Sequence, residues 1–284
     1  MSITGDAGAL HAELFEVLAG AGIDDPHSET THILESLTSA PSQAARERAL
    51  AMARARAAGT PLGYVVGQQR FMGVDITVMP GVLIPRSETE LLGWEAVVRL
   101  RASHGATGLD ARVIDMCCGS GNLACGIAHA LPQVRVWASD LMENCATLTR
   151  HNACQLGLEE RIHVHHGDLF QPLCGGPAGY WDLVVCNPPY ISTQRLSRRH
   201  DLLHHEPRAA FDGGPYGLSI YHRLIRDASH YLSSGGWLLL EIGSGQAGHI
   251  ERLFARSPEY DKIELVADQR GEFRVAAARR ADRS

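Results

Sequence analysis

From Arg112 onward, short apolar runs alternate with longer helical stretches, and this alternation restricts the fold more than any other feature of the chain. RVIDM, VRVWASD, RIHVHHGD, DLVVCNPPY, WLLLEI, KIELVAD and EFRVAAA read as seven strands. NLACGIAHAL, ENCATLTRHNACQLG and GLSIYHRLIRDASHYL read as helices between the earlier ones. Strand-helix-strand units of this length make right-handed crossovers, which build a parallel sheet covered on both faces. The last two runs have no room for a helix between them and are expected to pair as an antiparallel hairpin. The expected fold is therefore α/β: a doubly wound, Rossmann-like, seven-stranded sheet with an antiparallel last strand.

The N-terminal part has a different rhythm. LHAELFEVLAGAG, HSETTHILESL and AARERALAMARARAAG carry apolar residues at helical spacing, and Gly59 followed by Pro61 closes the last of them. YVVGQQRFMGVDITVMPGVLIPR places β-branched residues around Gly67, Gly73 and Gly81, which predicts a hairpin and a connector. The expected organisation is a helical cap over 1–62, a hairpin linker over 63–90 and the doubly wound domain over 91–284.

Composition removes several classes of function. The formal net charge is −6, from 26 basic and 32 acidic side chains, whereas a protein that grips duplex phosphates usually carries a basic face. Long nucleic acid is thus disfavoured as a partner. No run of apolar residues is long enough to span a bilayer. The opening MSITGDAGALHAELF is acidic and lacks a basic stretch before an apolar core, so no secretory signal and a cytoplasmic location are expected. Seven cysteines, at 117, 118, 125, 145, 154, 174 and 186, form no CxxC pair and are expected as reduced, buried thiols. His163, His165 and His166 alternate along a strand and lack a completing carboxylate or cysteine, so no metal site is expected.

Four strand ends carry the chemistry. After the first, Cys117-Cys118-Gly119-Ser120-Gly121 forms a small-residue turn before a helix, where a ligand can approach the backbone closely. Such a turn also suits nicotinamide dinucleotides, although the third glycine of that fingerprint is absent. Asp140 ends the second run, where a carboxylate can accept ribose hydroxyls; the alternative is an exposed loop aspartate. Gly167-Asp168-Leu169 ends the third, placing an acid at an adenine edge with Leu169 or Phe170 over the ring, or else making a polar turn. Asn187-Pro188-Pro189-Tyr190 ends the fourth. Two prolines cannot donate to the ladder, so the sheet stops there. The rigid backbone lets the Asn187 side-chain oxygen and the Pro188 carbonyl face the cleft, a pair of acceptors for the two N–H groups of a planar amide or exocyclic amine. The Tyr190 ring can stack on that flat group.

From Gly59 to Arg279 the chain resembles the HemK/PrmC family of protein-(glutamine-N(5)) methyltransferases. Five blocks outside the strand ends carry the likeness: Gly59–Tyr64, Arg70–Gly73, Leu83–Leu92, His205–Gly214 and Gly235–Gly243. The resemblance implies a class I methyltransferase fold and S-adenosylmethionine as cofactor, with S-adenosylhomocysteine as product. It implies cofactor contacts at Cys117 to Gly121, Asp140, Asp168, Leu169 and Asn187. Catalysis and acceptor binding are implied at Asn187, Pro188, Pro189 and Tyr190, with further substrate contacts at Arg86 and Glu88. The implied acceptor is a glutamine side chain, the Gly-Gly-Gln glutamine of a peptide chain release factor, modified by a monomeric enzyme. Two departures stand out. Cys117-Cys118 replaces the Gly-Thr usual in the family, adding bulk and removing a hydroxyl, and cofactor binding is expected to survive this. The helical cap, which helps hold the protein substrate in the family, is shorter between His27 and Gly59.

Other readings share the Asn-Pro-Pro-Tyr geometry. One is a small-molecule N-methyltransferase of a biosynthetic pathway, consistent with the altered cap and loop. Another is a nucleic-acid adenine methyltransferase acting on a flipped base, which the acidic balance opposes. A third is a partner-binding protein that kept the fold without the reaction. Arg195, Arg198 and Arg199 cluster beyond the motif and are either a docking site for acidic residues of a protein substrate or a solvated basic loop.

Overall fold

The computed structural model describes residues 3–37, 42–174, 178–198 and 204–282. The chain divides into two compact units, Met1–Gln69 and Arg70–Ser284. The boundary falls inside the stretch read as a separate linker, and the residues beyond it pack into the second unit.

The first unit is helical: α1 (Ile3–Gly20), α2 (Pro26–Glu35), α3 (Gln43–Ala57) and the short α4 (Leu62–Val66). Local chemistry sets the ends. Asp25 caps α2 by accepting from Ser28 N at 3.0 Å, with Pro26 opening the first turn. Ser42 caps α3 through Ala45 N, and Gly67, at φ 82°, closes α4. Leu14, Leu18, Ile33, Ala49, Met52 and Ala53 form its core. The Arg56 guanidinium grips the Glu29 carboxylate through two hydrogen bonds of 2.6 and 3.0 Å, tying α3 to α2.

A hairpin, β1 (Gln68–Phe71) and β2 (Val74–Thr77), leads into the second unit, followed by α5 (Thr89–His104). Then come β3 (Arg112–Met116), α6 (Asn122–Ala130), β4 (Arg135–Asp140), α7 (Glu143–Gln155), β5 (Ile162–His166) and β6 (Trp181–Cys186). The chain continues through α8 (Thr193–Leu196), α9 (Ser219–Tyr231), β7 (Leu232–Glu241), α10 (Ala247–Ala255), β8 (Tyr260–Ala267) and β9 (Phe273–Arg280). Seven strands make one sheet in the order β5-β4-β3-β6-β7-β9-β8. Strands β3 to β7 pair in parallel, and β9 inserts antiparallel between β7 and β8. The expected α/β architecture is present, with the last strand in chain order as the antiparallel one.

The differences have physical reasons. Helix α5 buries Leu92, Gly93, Ala96, Val97 and Leu100 at helical spacing, but Trp94 and Val98 are exposed on its other side and blur the apolar stripe. β7 starts at Leu232 rather than Trp237, because Leu232 pairs with Trp181 of β6, and residues 233–236 form an irregularity before the register resumes with Trp237 opposite Leu183. Cys118, Cys125, Cys145 and Cys186 are buried as expected, but Cys154 and Cys174 are exposed, since each lies on a helix or turn end that faces solvent. The His163 ring packs on Trp137, 4.9 Å between centroids, and no metal-binding group of side chains occurs among the described residues.

Met72 anchors the hairpin turn to the sheet-bearing unit. It has a left-handed backbone, φ 45°, and is 2% exposed. Its amide donates to Glu90 Oε1 at 2.8 Å, and its thioether lies between α5 and α6. Two glycines make the room: a Cβ on Gly93 would strike the Met72 sulfur, and one on Gly126 would lie 2.8 Å from it. Gly126→Ala is therefore expected to destabilise the fold by about 1–3 kcal/mol through overpacking. In a Met72→Ala background the same change should become favourable by up to ~1 kcal/mol, because alanine is the better helix former. Urea unfolding of the four proteins measures this, and an equal cost in both backgrounds would exonerate Met72.

Candidate active site

The carboxyl ends of β3, β4, β5 and β6 open onto one cleft. After β3 the backbone turns through Cys117, Gly119 and Gly121, all left-handed at φ 56°, 57° and 77°. Alternating left-handed residues turn successive N–H groups toward one side, a cradle for a polar or anionic group. Gly119 has no atom within 4 Å of a would-be Cβ, so that side is open to a ligand. At Gly121 a Cβ would meet Thr149 Cγ2 at 2.6 Å, so nothing larger fits. Cys117 tolerates its left-handed backbone because its side chain packs on the core cluster that includes Cys186. The buried Cys118 sets its sulfur 3.4 Å from Thr149 Oγ1, and that hydroxyl donates to the Gly119 carbonyl at 3.1 Å. Asn152 holds the loop from behind, donating to the Ser120 carbonyl at 2.8 Å and exchanging hydrogen bonds with the Thr77 backbone.

Three carboxylates surround this loop in three different states. Asp140 Oδ2 accepts from Gly119 N at 2.9 Å and Oδ1 from Met142 N at 2.8 Å. Burial raises its pKa, and these two N–H groups oppose the rise. The Cys145 thiol opposes it as well. Asp115 lies deeper, at the end of β3. Its Oδ2 accepts from Ala124 N at 3.0 Å, while Oδ1 is buried without a partner among the described residues. Burial pushes its carboxyl up to about 8; the Ala124 N–H opposes this and the Asp140 charge adds to it. Asp168 is more open and pairs with Arg223 at 2.7 Å. The next residue, Leu169, is left-handed at φ 46° and buried, and its carbonyl accepts from Ser139 Oγ at 3.1 Å.

Beyond β6, Asn187 Nδ2 donates to Thr89 Oγ1 at 3.2 Å. Tyr190 is tied down at both its hydroxyl and its main chain. Its hydroxyl donates to Glu241 Oε1 at 3.3 Å, its carbonyl accepts from Gln246 Nε2 at 3.0 Å, and its ring fills the space beside Gly243. A hydroxyl satisfied on a buried carboxylate fixes the ring there. The 211–217 segment lies against the motif: Gly213 N donates to the Ile191 carbonyl at 2.8 Å, and a Cβ on Gly213 would sit 2.7 Å from the Pro189 carbonyl oxygen. Arg86 forms an ion pair with the buried Glu206, whose other oxygen accepts from Ile84 N at 3.0 Å.

The cleft is lined by Cys117, Cys118, Gly119, Ser120, Asp140, Asp168, Leu169, Asn187, Pro189 and Arg86. Gly121, Glu88, Pro188 and Tyr190 are not among its lining residues. Thr89, Leu141, Met142 and Ile220 line it without having been anticipated. Leu141 and Met142 had a readable signal, since they directly follow the strand-ending Asp140; in the structure they are 61% and 41% exposed despite being apolar. Arg195 lies within α8 and Arg198 follows the helix, while Arg199 lies outside the described residues.

A methyltransferase small domain family matches residues 99–216. A release factor glutamine methyltransferase from Moorella thermoacetica is 37% identical over 277 residues, covering 93% of this chain and 95% of that one. One from Geobacter sulfurreducens is 39% identical over 225 residues, 79% of this chain and 75% of that one. Among solved structures, the Thermus thermophilus 16S rRNA N2 G1207 methyltransferase in complex with AdoMet and guanosine matches with a TM-score of 0.52 at 18% identity. That match covers 75% of this chain and 49% of the other, and shows a shared fold.

The proton on Asp115 has a measurable consequence for stability. The folded carboxyl holds its proton up to about pH 8, while the unfolded one releases it near 3.8. Between those values the folded state binds the extra proton, so stability falls as pH rises through this window and levels off above it. Asp115→Asn keeps the shape without the titration and should flatten that part of the profile. Melting temperatures of both proteins across pH 4 to 9 provide the check; parallel curves would mean that Asp115 ionises freely.

Proposed function

The chain belongs to the release factor glutamine methyltransferase family, and on that footing we propose that it methylates the side-chain amide of the Gly-Gly-Gln glutamine in a peptide chain release factor, using S-adenosylmethionine. The observation that carries this reading is the shared cleft: the left-handed loop after β3, the Asp140 carboxylate and Asn187 all line it. The residues present suit the cofactor. Gly119 leaves open space over the loop, and the Asp140 carboxylate lines the cleft as an acceptor for a ribose hydroxyl. Leu169 and Met142 offer apolar surface for the adenine. Bound there, S-adenosylmethionine supplies an electrophilic methyl group on a positively charged sulfur.

The chain's own residues supply placement. An amide nitrogen is a weak nucleophile because its lone pair is delocalised into the carbonyl. Asn187 Oδ1, on the cleft wall, accepts one of its N–H groups, aiming the nitrogen and favouring positive charge as it builds there; the Pro188 carbonyl, the second acceptor read from the sequence, lies outside the cleft lining. Placement of this kind is worth roughly 7–11 kcal/mol in favourable cases. Two glycines before the target glutamine let its side chain extend into a narrow slot without clashes. Release factors work in the cytoplasm, which is where the enzyme is expected; no helix among the described residues is long and apolar enough to cross a membrane.

Incubation of the enzyme with labelled cofactor and purified release factor, beside a cell extract freed of macromolecules, tests the acceptor. Label is expected in the release factor, and label confined to small molecules would reassign the substrate. Asn187→Ala is expected to lower turnover by about 10²–10³-fold with a smaller change in cofactor affinity. Asp140→Ala should do the reverse, weakening the cofactor by roughly 1.5–3 kcal/mol in a titration. An unchanged dissociation constant would remove Asp140 from the cofactor site.

A further inference from the structure

Gln246 is not among the cleft-lining residues, yet three segments of the chain meet on its side-chain amide. Its own backbone is fixed at the start of α10, where the amide of the fully buried Ile250 donates to the Gln246 carbonyl at 3.1 Å. From there the side chain reaches back. Oε1 accepts from Gly243 N at 2.9 Å, just beyond the end of β7. Nε2 donates to the Tyr190 carbonyl at 3.0 Å and to the Gly217 carbonyl at 3.3 Å. A backbone N–H only donates and a carbonyl only accepts, so these three partners admit one orientation of the amide. Flipped by half a turn, it would set NH₂ against N–H and oxygen against two oxygens. Glycines let the main chains close around it: a Cβ on Gly217 would strike the Tyr190 carbonyl oxygen, and one on Gly243 would lie 2.9 Å from both Gln246 Oε1 and Tyr190 Cδ2.

Both carbonyls held by Nε2 lead to the cleft wall. Pro189, next to Tyr190, lines the cleft, and so does Asn187. Only Pro188 and Pro189 separate Asn187 from Tyr190, and each has its φ fixed by its ring. A shift at the Tyr190 carbonyl thus has few torsions to dissipate in before it reaches Asn187. On the other arm, Ile220 lines the cleft from the first turn of α9, shortly after Gly217. We infer that Gln246 is a positioning residue for the methyl acceptor: its amide pins the Asn-Pro-Pro-Tyr turn and the 211–217 loop to the end of β7, and so sets where Asn187 meets the target nitrogen. The inference deepens the glutamine reading and rests on it. Gln246 acts only through the turn and the loop that it joins.

Gln246→Met keeps the length of the side chain and removes its donors and its acceptor. Backbone hydrogen exchange reads the joint without any methyl acceptor. Ile191 donates to the Phe211 carbonyl, Gly213 to that of Ile191 and Thr193 to that of Gly214. These three amides should exchange about tenfold faster in the variant, while Cys118, which donates to the Ser139 carbonyl on the far side of the cleft mouth, should keep its rate. Unchanged rates at the three, or a matching rise at Cys118, overturn the inference. With release factor as acceptor, kcat should fall about tenfold. The KM for S-adenosylmethionine should stay within about twofold, because no cofactor contact is removed. An unchanged kcat, or a rise in that KM as large as the fall in kcat, overturns the inference as well. Gln246→Glu has at most one proton for two carbonyls and should recover no more than part of the lost rate; full activity would show that the carbonyls need no clamp. If the wild-type enzyme leaves the release factor unmethylated, the reading of the acceptor fails instead, and the exchange rates still decide whether Gln246 holds the turn.

Discussion

Parallel pairing of β4, β3 and β6 is the constraint on which the rest of the molecule depends. Met116 stands opposite both Ser139 and Cys186 in register, so the three strands end together. A loop, a carboxylate and an amide separated by many residues in sequence therefore reach one level at one mouth. Crossovers leave the sheet on opposite faces around β3, which opens a crevice at that level. Slipping β6 against β3 by one residue would exchange its buried and cleft-facing side chains and take Asn187 out of the site.

The sheet enforces a cost at this mouth, and different side chains bear it in different ways. Asp115 sits where its charge is least tolerated and keeps a proton. Asp140, with two backbone N–H groups where Asp115 has one, is held nearer to ionisation. Asp168 faces more solvent and pairs with Arg223. Three aspartates in one neighbourhood thus occupy three electrostatic conditions, and each follows from depth and donors rather than from residue type.

Much of this was readable in the chain and some of it was not. Strands β3 to β6 and helices α6 and α7 carry clean apolar periodicity, and Asn187 announces itself because two prolines follow it. Asp140 was readable as the polar end of a strand. Thr89 and Glu241 had no such signal. Thr89 meets Asn187 across 98 positions, a fact of packing alone. Arg86 could be read as a substrate contact, but not as a partner of Glu206, which stands 120 positions away. Tyr190 shows the same limit. Its hydroxyl meets a buried acid on β7, a partner that no local pattern announces. Sequence patterns record what a residue does for its own element, and are mute about which distant element answers it.

Gly213 has a wider consequence. Because its backbone rests directly on that of Pro189 and Tyr190, the 211–217 loop and the Asn-Pro-Pro-Tyr turn form one moulded piece, with main chain as the mould. Side chains at such a contact could be exchanged one at a time over evolutionary drift; main chain cannot. Outward side chains of the loop, such as the exposed Tyr216, can be replaced while the path of the main chain is held. What the loop presents outward is thereby uncoupled from the turn it supports.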